Sequence, residues 1–154
     1  MPSLVNIYSK AFYYSGITSI SNLGSITTIK NTQNDGVFSE CHDLKKIDLH
    51  TTTQLETIER CGFKNCFACE TIHFPSSIST IADYAFENAT SLRWIKIDAE
   101  TAPTITNATF NKANSSFKIY VPDSVVDDYK SSTWSNFSSR IFPISQFVTD
   151  FPNG

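Results

Sequence analysis

A chain of 154 residues, 40% hydrophobic and only 18% charged, is one domain's worth of apolar sequence and too little charge for a disordered segment. Its net charge of -3, with Lys and Arg scattered, leaves no electrostatic footprint for nucleic acid and no basic patch for an anionic membrane. Met1-Pro2-Ser3-Leu4-Val5 lacks the charged start and apolar run of a secretory leader, and no apolar stretch approaches the length of a membrane span.

The first element is a short phrase: Ile7, then Phe12 five residues on, then Ser15. It recurs along the chain. Phe12, Phe38, Phe63, Phe86 and Phe110 are separated by 26, 25, 23 and 24 residues, with Ile58, Ile81 and Ile105 again five before the Phe. The second unit departs, since Ile29 lies nine before Phe38 and residues 30–36 read as a looped insertion of about four turn-forming residues. Three after each Phe stands Ser15, Cys41, Cys66, Ala89 or Ala113, and the residue before it is often small, as at Ala11, Gly62 and Ala85. A small side chain recurring at one place in each unit implies a narrow corner or a close backbone approach. A period in the low twenties predicts a solenoid, in which each unit buries its apolar face only by stacking on its neighbours.

Strands follow within the units. Leu44-Lys45-Lys46-Ile47-Asp48-Leu49, Cys69-Glu70-Thr71-Ile72-His73-Phe74 and Leu92-Arg93-Trp94-Ile95-Lys96-Ile97 share one pattern, and Phe117-Lys118-Ile119-Tyr120-Val121 carries its second half. Alternation points Ile47, Leu49, Ile72, Phe74, Ile95, Ile97, Ile119 and Val121 inward and their partners outward. Pro75 and Pro122 stop two of these strands, where a missing amide costs the ladder nothing. One strand per unit with an intervening return path predicts a parallel sheet in which equivalent positions form columns.

At the carboxy end, Asp123 to Tyr129 reads as a short helix, with Trp134 and Phe137 available to cover the last rung. The amino end has no such cover, as Leu4 and Ile7 begin a unit almost at Met1. Either a longer repeat array or docking on another subunit would account for that bare edge. The tail from Gln146, with Phe147 and Phe151, is a candidate docking arm or a frayed end.

The stretch from Phe74-Pro75-Ser76-Ser77-Ile78 through Ile81-Ala82-Asp83-Tyr84-Ala85-Phe86 to Leu92 closely resembles the repeat of BspA-like leucine-rich repeat proteins. The run Ile119-Tyr120-Val121-Pro122-Asp123-Ser124-Val125, with Trp134, Phe137 and Ile141 beyond it, resembles the segment that often closes them. The resemblance implies a leucine-rich-repeat-like stack of parallel strands over residues 1–145, about five repeats with a helical cap near 122–145, and a tail over 146–154. Members of that family are mostly surface or secreted proteins of gut and oral bacteria and some parasitic protists, associated with adhesion and protein binding. The family carries no catalytic residue to transfer, so neither enzymatic activity nor a cofactor is expected. The departures are the absent secretory leader, the insertion before Phe38 and a first unit one residue short between Phe12 and its strand.

Cys61, Cys66, Cys69 and His73 supply ligand types for zinc, but Cys66 falls in the small-residue column and Cys69 at an inward strand position, so burial is the better reading and no metal site is assigned. Cys41 and Cys66, one rung apart, are the conceivable disulfide pair. Nothing places an orienting group beside His42, His50 or His73 in a nucleophile motif, and Asp127-Asp128 fits the start of the cap helix. Four glycosylation sequons, at Asn88, Asn107, Asn114 and Asn136, matter only to a secreted eukaryotic chain.

The outward strand residues carry the functional expectation. Register puts Asp48, His73, Lys96 and Tyr120 in one column, with Ser21 as a further candidate, and Lys46, Thr71, Trp94 and Lys118 in the next. Trp94, Tyr120, His73, Lys96, Asp48 and Lys46 are the candidate binding residues, because mixed charge with aromatic area is the composition of a recognition surface; a plain solvated face is the alternative. The expected function is non-enzymatic protein binding or adhesion to a host or surface ligand. The other reading is a structural or decoration subunit of an assembly, such as a phage virion of a gut-bacterial virus. Compartment is open between extracellular, cell surface and virion.

Overall fold

A computed structural model of the chain describes residues 6–31 and 35–151. Leu4, the inserted residues 32–34 and the last three residues of the tail lie outside that description. The elements are β1 (Asn6–Ile7), β2 (Ser19–Ser21), β3 (Thr28–Ile29), β4 (Lys46–Asp48), β5 (Thr57–Ile58), β6 (Thr71–Phe74), β7 (Thr80–Ile81), β8 (Trp94–Ile97), β9 (Lys118–Val121), α1 (Val126–Ser131), β10 (Ile141–Pro143) and α2 (Ile144–Asp150). A 3₁₀ turn, Asp123–Val125, leads into α1, and another, Ser135–Arg140, leads into β10.

Two parallel ladders run the length of the coil. The larger sheet has the order β10-β9-β8-β6-β4-β2, and the smaller, on the return limb, the order β1-β3-β5-β7. The smaller ladder was not anticipated. It is built from the recurring isoleucines, with Ile7, Ile29, Ile58 and Ile81 in register, and Thr80 bridges to Thr104 to extend it. In the larger sheet Ile20, Ile47, Ile72, Ile95 and Ile119 align rung by rung, each buried. Ile141 of β10 continues that column beside Ile119, adding a strand beyond those read from the alternating pattern.

Between the ladders lies the phenylalanine stack. Successive ring centroids from Phe12 through Phe38, Phe63 and Phe86 to Phe110 are 5.1, 4.9, 5.2 and 5.6 Å apart, with planes within 13° of parallel. The small-residue column fills the corner beside it. There the Cys41 thiol donates to the Phe12 carbonyl at 3.0 Å and the Cys66 thiol to the Phe38 carbonyl at 3.2 Å, so each thiol ties its rung to the one before. All four cysteines are free and buried. Burial pushes the Cys69 thiol up to about 12 and the Cys66 thiol well above its ordinary value, which keeps both protonated and inert.

The corner has a conformational signature that residue types conceal. Positive φ falls two residues before or after the stacked Phe, at Lys10, Tyr14, Glu40, Cys61, Asn65, Tyr84, Asn88 and Lys112, between 57° and 66°. A left-handed non-glycine residue costs about 1–2 kcal/mol. Here it turns alternate amides along the stacking axis. Tyr84, Phe86 and Asn88 donate to Ala108, Thr109 and Asn111 of the next rung, and Cys61, Phe63 and Asn65 donate to Asp83, Ala85 and Glu87. The corner therefore carries a third set of inter-rung hydrogen bonds, which offsets the strain. Gly36 is fixed by the same closeness, because a Cβ there would lie 1.9 Å from the Cys61 carbonyl oxygen.

The carboxy cap closes the stack as the sequence suggests. Trp134 is fully buried 5.8 Å from Phe110, and Phe137 packs on Phe110 and Phe117. Polar atoms in the cap are satisfied: the Trp134 indole donates to Pro103 and the Tyr129 hydroxyl to Ala99, at 2.8 and 2.7 Å.

Candidate binding face of the larger sheet

The outward columns form in the expected register. Ser21, Asp48, His73, Lys96, Tyr120 and Phe142 are successive partners, beside Ser19, Lys46, Thr71, Trp94 and Lys118. What covers them differs along the sheet. Over β8, β9 and β10 the chain folds back as α2, which follows Pro143 directly and lays Phe147 edge-on against Trp94 at 4.9 Å and Tyr120 at 5.0 Å. Asp150 accepts hydrogen bonds from the Lys118 ammonium, at 2.7 Å, and from the Tyr120 hydroxyl.

Tyr120 is therefore corrected from an exposed residue to a fully buried one. It does leave the sheet on the outer side, but α2 supplies a second core there, and burial with the Asp150 carboxylate drives its phenol well above the ordinary range. Trp94 is half-buried between Phe147 and Phe151. Lys96 lies with its ammonium 5.6 Å over the Phe147 ring, and Lys46 is exposed with Nζ 3.4 Å from Asp48 Oδ2. The tail residues 146–150 are thus helix, seated on this chain's own sheet.

Over β2, β4 and β6 no element of the described residues covers the outer side. Between it and α2 runs a groove of about 190 Å³, lined by Lys46, Asp48, Thr71, His73, Trp94, Lys96 and Phe147. His73 sits at its floor between two carboxylates, with Nε2 2.8 Å from Asp98 and Nδ1 3.7 Å from Asp48. The His50 ring stacks on His73 at 4.7 Å and its Nδ1 lies 2.5 Å from Asp48 Oδ1. Burial raises the Asp48 and Asp98 carboxyls, but the histidines and lysines around them outweigh it and hold both below the ordinary aspartate value. His50 and Asp98 were not foreseen as members of this group. Both carry the outward parity of Asp48 and Lys96, but His50 and Asp98 stand one residue past the segments that end at Leu49 and Ile97 and beyond the ends of β4 and β8.

The cysteines take no part in this surface. Cys66 and Cys69 pack in the core and Cys61 is buried, whereas His73 lies on the outer side of β6, which separates the four candidate ligands that stand close together in sequence. At the other end of the coil an apolar hollow of about 550 Å³ opens beside the first rung, lined by Ile7, Tyr8, Ala11, Phe12, Leu23 and Ile26. Tyr8 is 57% exposed there. Among the described residues no helix is long and apolar enough to cross a membrane.

No curated protein matches the chain. The sequence pattern of the BspA type leucine-rich repeat region matches residues 5–138 in six copies. Proteins of this kind are repeat proteins, often surface- or binding-related and generally non-enzymatic, and their repeats commonly mediate protein–protein contacts. With a match over most of its length, parallel strands in register and one phenylalanine stack, the chain belongs to the BspA-type leucine-rich repeat family.

Proposed function

We propose that the chain is a non-enzymatic protein-binding or adhesion module whose contact surface is the open part of the larger sheet, with Lys46, Asp48, Thr71, His73 and Lys96 facing the partner and Trp94 forming an aromatic wall. The observation that carries this reading is the partition of the face. α2 seals the aromatic end and leaves a groove bordered by both signs of charge and by the Trp94 and Phe147 rings. Charged groups at such a rim steer and orient a partner, and a half-buried aromatic supplies contact area at low entropic cost. Tyr120 serves by holding α2.

The test is photo-cross-linking from p-benzoylphenylalanine placed at Lys46 or Thr71, with Glu56 on the return limb as control, against a preparation of surface proteins. Adducts of one discrete mass from Lys46 and Thr71, absent from Glu56 and competed away by unlabelled chain but not by its Lys46→Glu variant, support the reading. Adducts from Glu56 alone, or equally from all three positions, reject it.

The exposed hollow at the first rung favours a second reading, a subunit of an assembly such as a virion that docks by its first rung. A stable oligomer by light scattering, dissociated by Phe12→Asp, supports that reading; a monomer indifferent to the change removes it.

A further inference from the structure

We propose that Asp48, His50 and His73 form a binding site for a borderline-soft divalent cation of the Zn²⁺ class, with Asp98 as the positioning residue that fixes the His73 ring. The three candidate ligand atoms all lie within 4.8 Å of one another. The fold brings them together by register: Asp48 and His73 are direct partners across β4 and β6, and His50 follows two residues after Asp48 where β4 has ended.

The hydrogen-bonding pattern favours a cation over a simple polar cluster. A carboxylate accepts, so the 2.8 Å contact makes His73 Nε2 the donor to Asp98. In the neutral ring Nδ1 then carries the lone pair, and it faces Asp48 Oδ1 across 3.7 Å. Two acceptors face each other there at a separation too long for a hydrogen bond. Ligands about 2.0–2.1 Å from a tetrahedral zinc stand about 3.3 Å apart, so a small rotation closes both onto one ion. The carboxylate–histidine–metal order is the usual device by which an outer carboxylate orients and strengthens an imidazole ligand. His50 supplies the third ligand through Nδ1, whose hydrogen, now given to Asp48, passes to the other ring nitrogen or to solvent when the metal binds. Two imidazoles and one carboxylate suit Zn²⁺, Co²⁺ or Ni²⁺ and not Mg²⁺ or Ca²⁺, and water completes the coordination. Lys46 opposes the site from 3.4 Å, but it engages Oδ2 of Asp48 and leaves Oδ1 to the cation.

Isothermal titration calorimetry of Zn²⁺ chloride into the whole chain, with Co²⁺ absorption as a ligand-sensitive readout, tests this. The expected result is one saturable Zn²⁺ per chain, no binding of Mg²⁺ at the same concentration, and a Co²⁺ spectrum of nitrogen and oxygen ligation. His50→Ala and His73→Ala should abolish binding with circular dichroism unchanged. Asp98→Asn should weaken it about 10–100-fold, whereas Lys46→Ala should tighten it several-fold. No saturable heat, binding indifferent to both histidine substitutions, or a thiolate charge-transfer band in the Co²⁺ complex would each overturn the assignment.

Discussion

Truncating Phe86 should be among the most damaging single changes in the molecule, and the same truncation at Phe12 should be mild. Phe86 is fully buried, with Phe63 stacked at 5.2 Å on one side, Phe110 at 5.6 Å on the other and Phe74 edge-on at 5.7 Å. A buried Phe→Ala change costs about 3–5 kcal/mol. Because aromatic contacts add about 0.5–1.5 kcal/mol beyond burial and Phe86 has three, its cost belongs in the upper part of that range, about 4–5 kcal/mol. Phe12 ends the stack, is 40% exposed and has one stacked neighbour, Phe38 at 5.1 Å. Losing about half the burial of a phenylalanine gives about 1–2 kcal/mol. For a domain of this size each kcal/mol moves Tm by about 2–4 °C, so Phe86→Ala should lower it by roughly 8–20 °C and Phe12→Ala by roughly 2–8 °C. Urea unfolding followed by far-ultraviolet circular dichroism would give both values. Equal costs at the two positions, or a larger one at Phe12, would refute the stack as the organising contact.

Gly36→Ala should destabilise by at least about 1–3 kcal/mol, since the new methyl meets the Cys61 carbonyl oxygen and not a yielding side chain; a thermal melt unchanged from wild type would contradict that packing. At Glu87, burial raises the carboxyl, but Lys64 at 3.0 Å and the Asn111 amide at 2.7 Å prevail and hold it below its ordinary value of 4.5. A depressed acid contributes its stability above its unfolded value and loses it as pH falls through the folded one. The urea midpoint of wild type should therefore fall more steeply below pH 4.5 than that of Glu87→Gln, and parallel curves would show that the network contributes nothing. The four buried thiols should resist Ellman's reagent in native buffer and react fully in denaturant; fast native reaction of Cys66 or Cys69 would place them outside the core.

The coil was legible because its determinants repeat. Phe38, Phe63 and Phe86 each state the same local rule, and Ile47, Ile72 and Ile95 repeat the same alternation, so tertiary context had nothing to override. The return-limb ladder was not legible, since strands of two residues such as Thr57–Ile58 are too short to show a period. Nor were the left-handed corners: Tyr84 and Glu40 give no glycine signal, because inter-rung hydrogen bonds and not residue type hold them there. α2 was the largest omission. Phe147 and Phe151 share a face at helical spacing, yet that they would turn back onto Trp94 depends on the β10 pairing and on Asp150 meeting Lys118, which are contacts of high sequence separation.

The covered and open halves of the sheet divide at α2, so its seat is the point to measure. Nuclear Overhauser contacts between the Phe147 ring and both the Trp94 indole and the Tyr120 ring should be observed, together with slowed amide exchange in β8 and β9. Absence of those contacts, with Tyr120 reactive toward solvent reagents, would contradict the account and return the whole outer face to solvent.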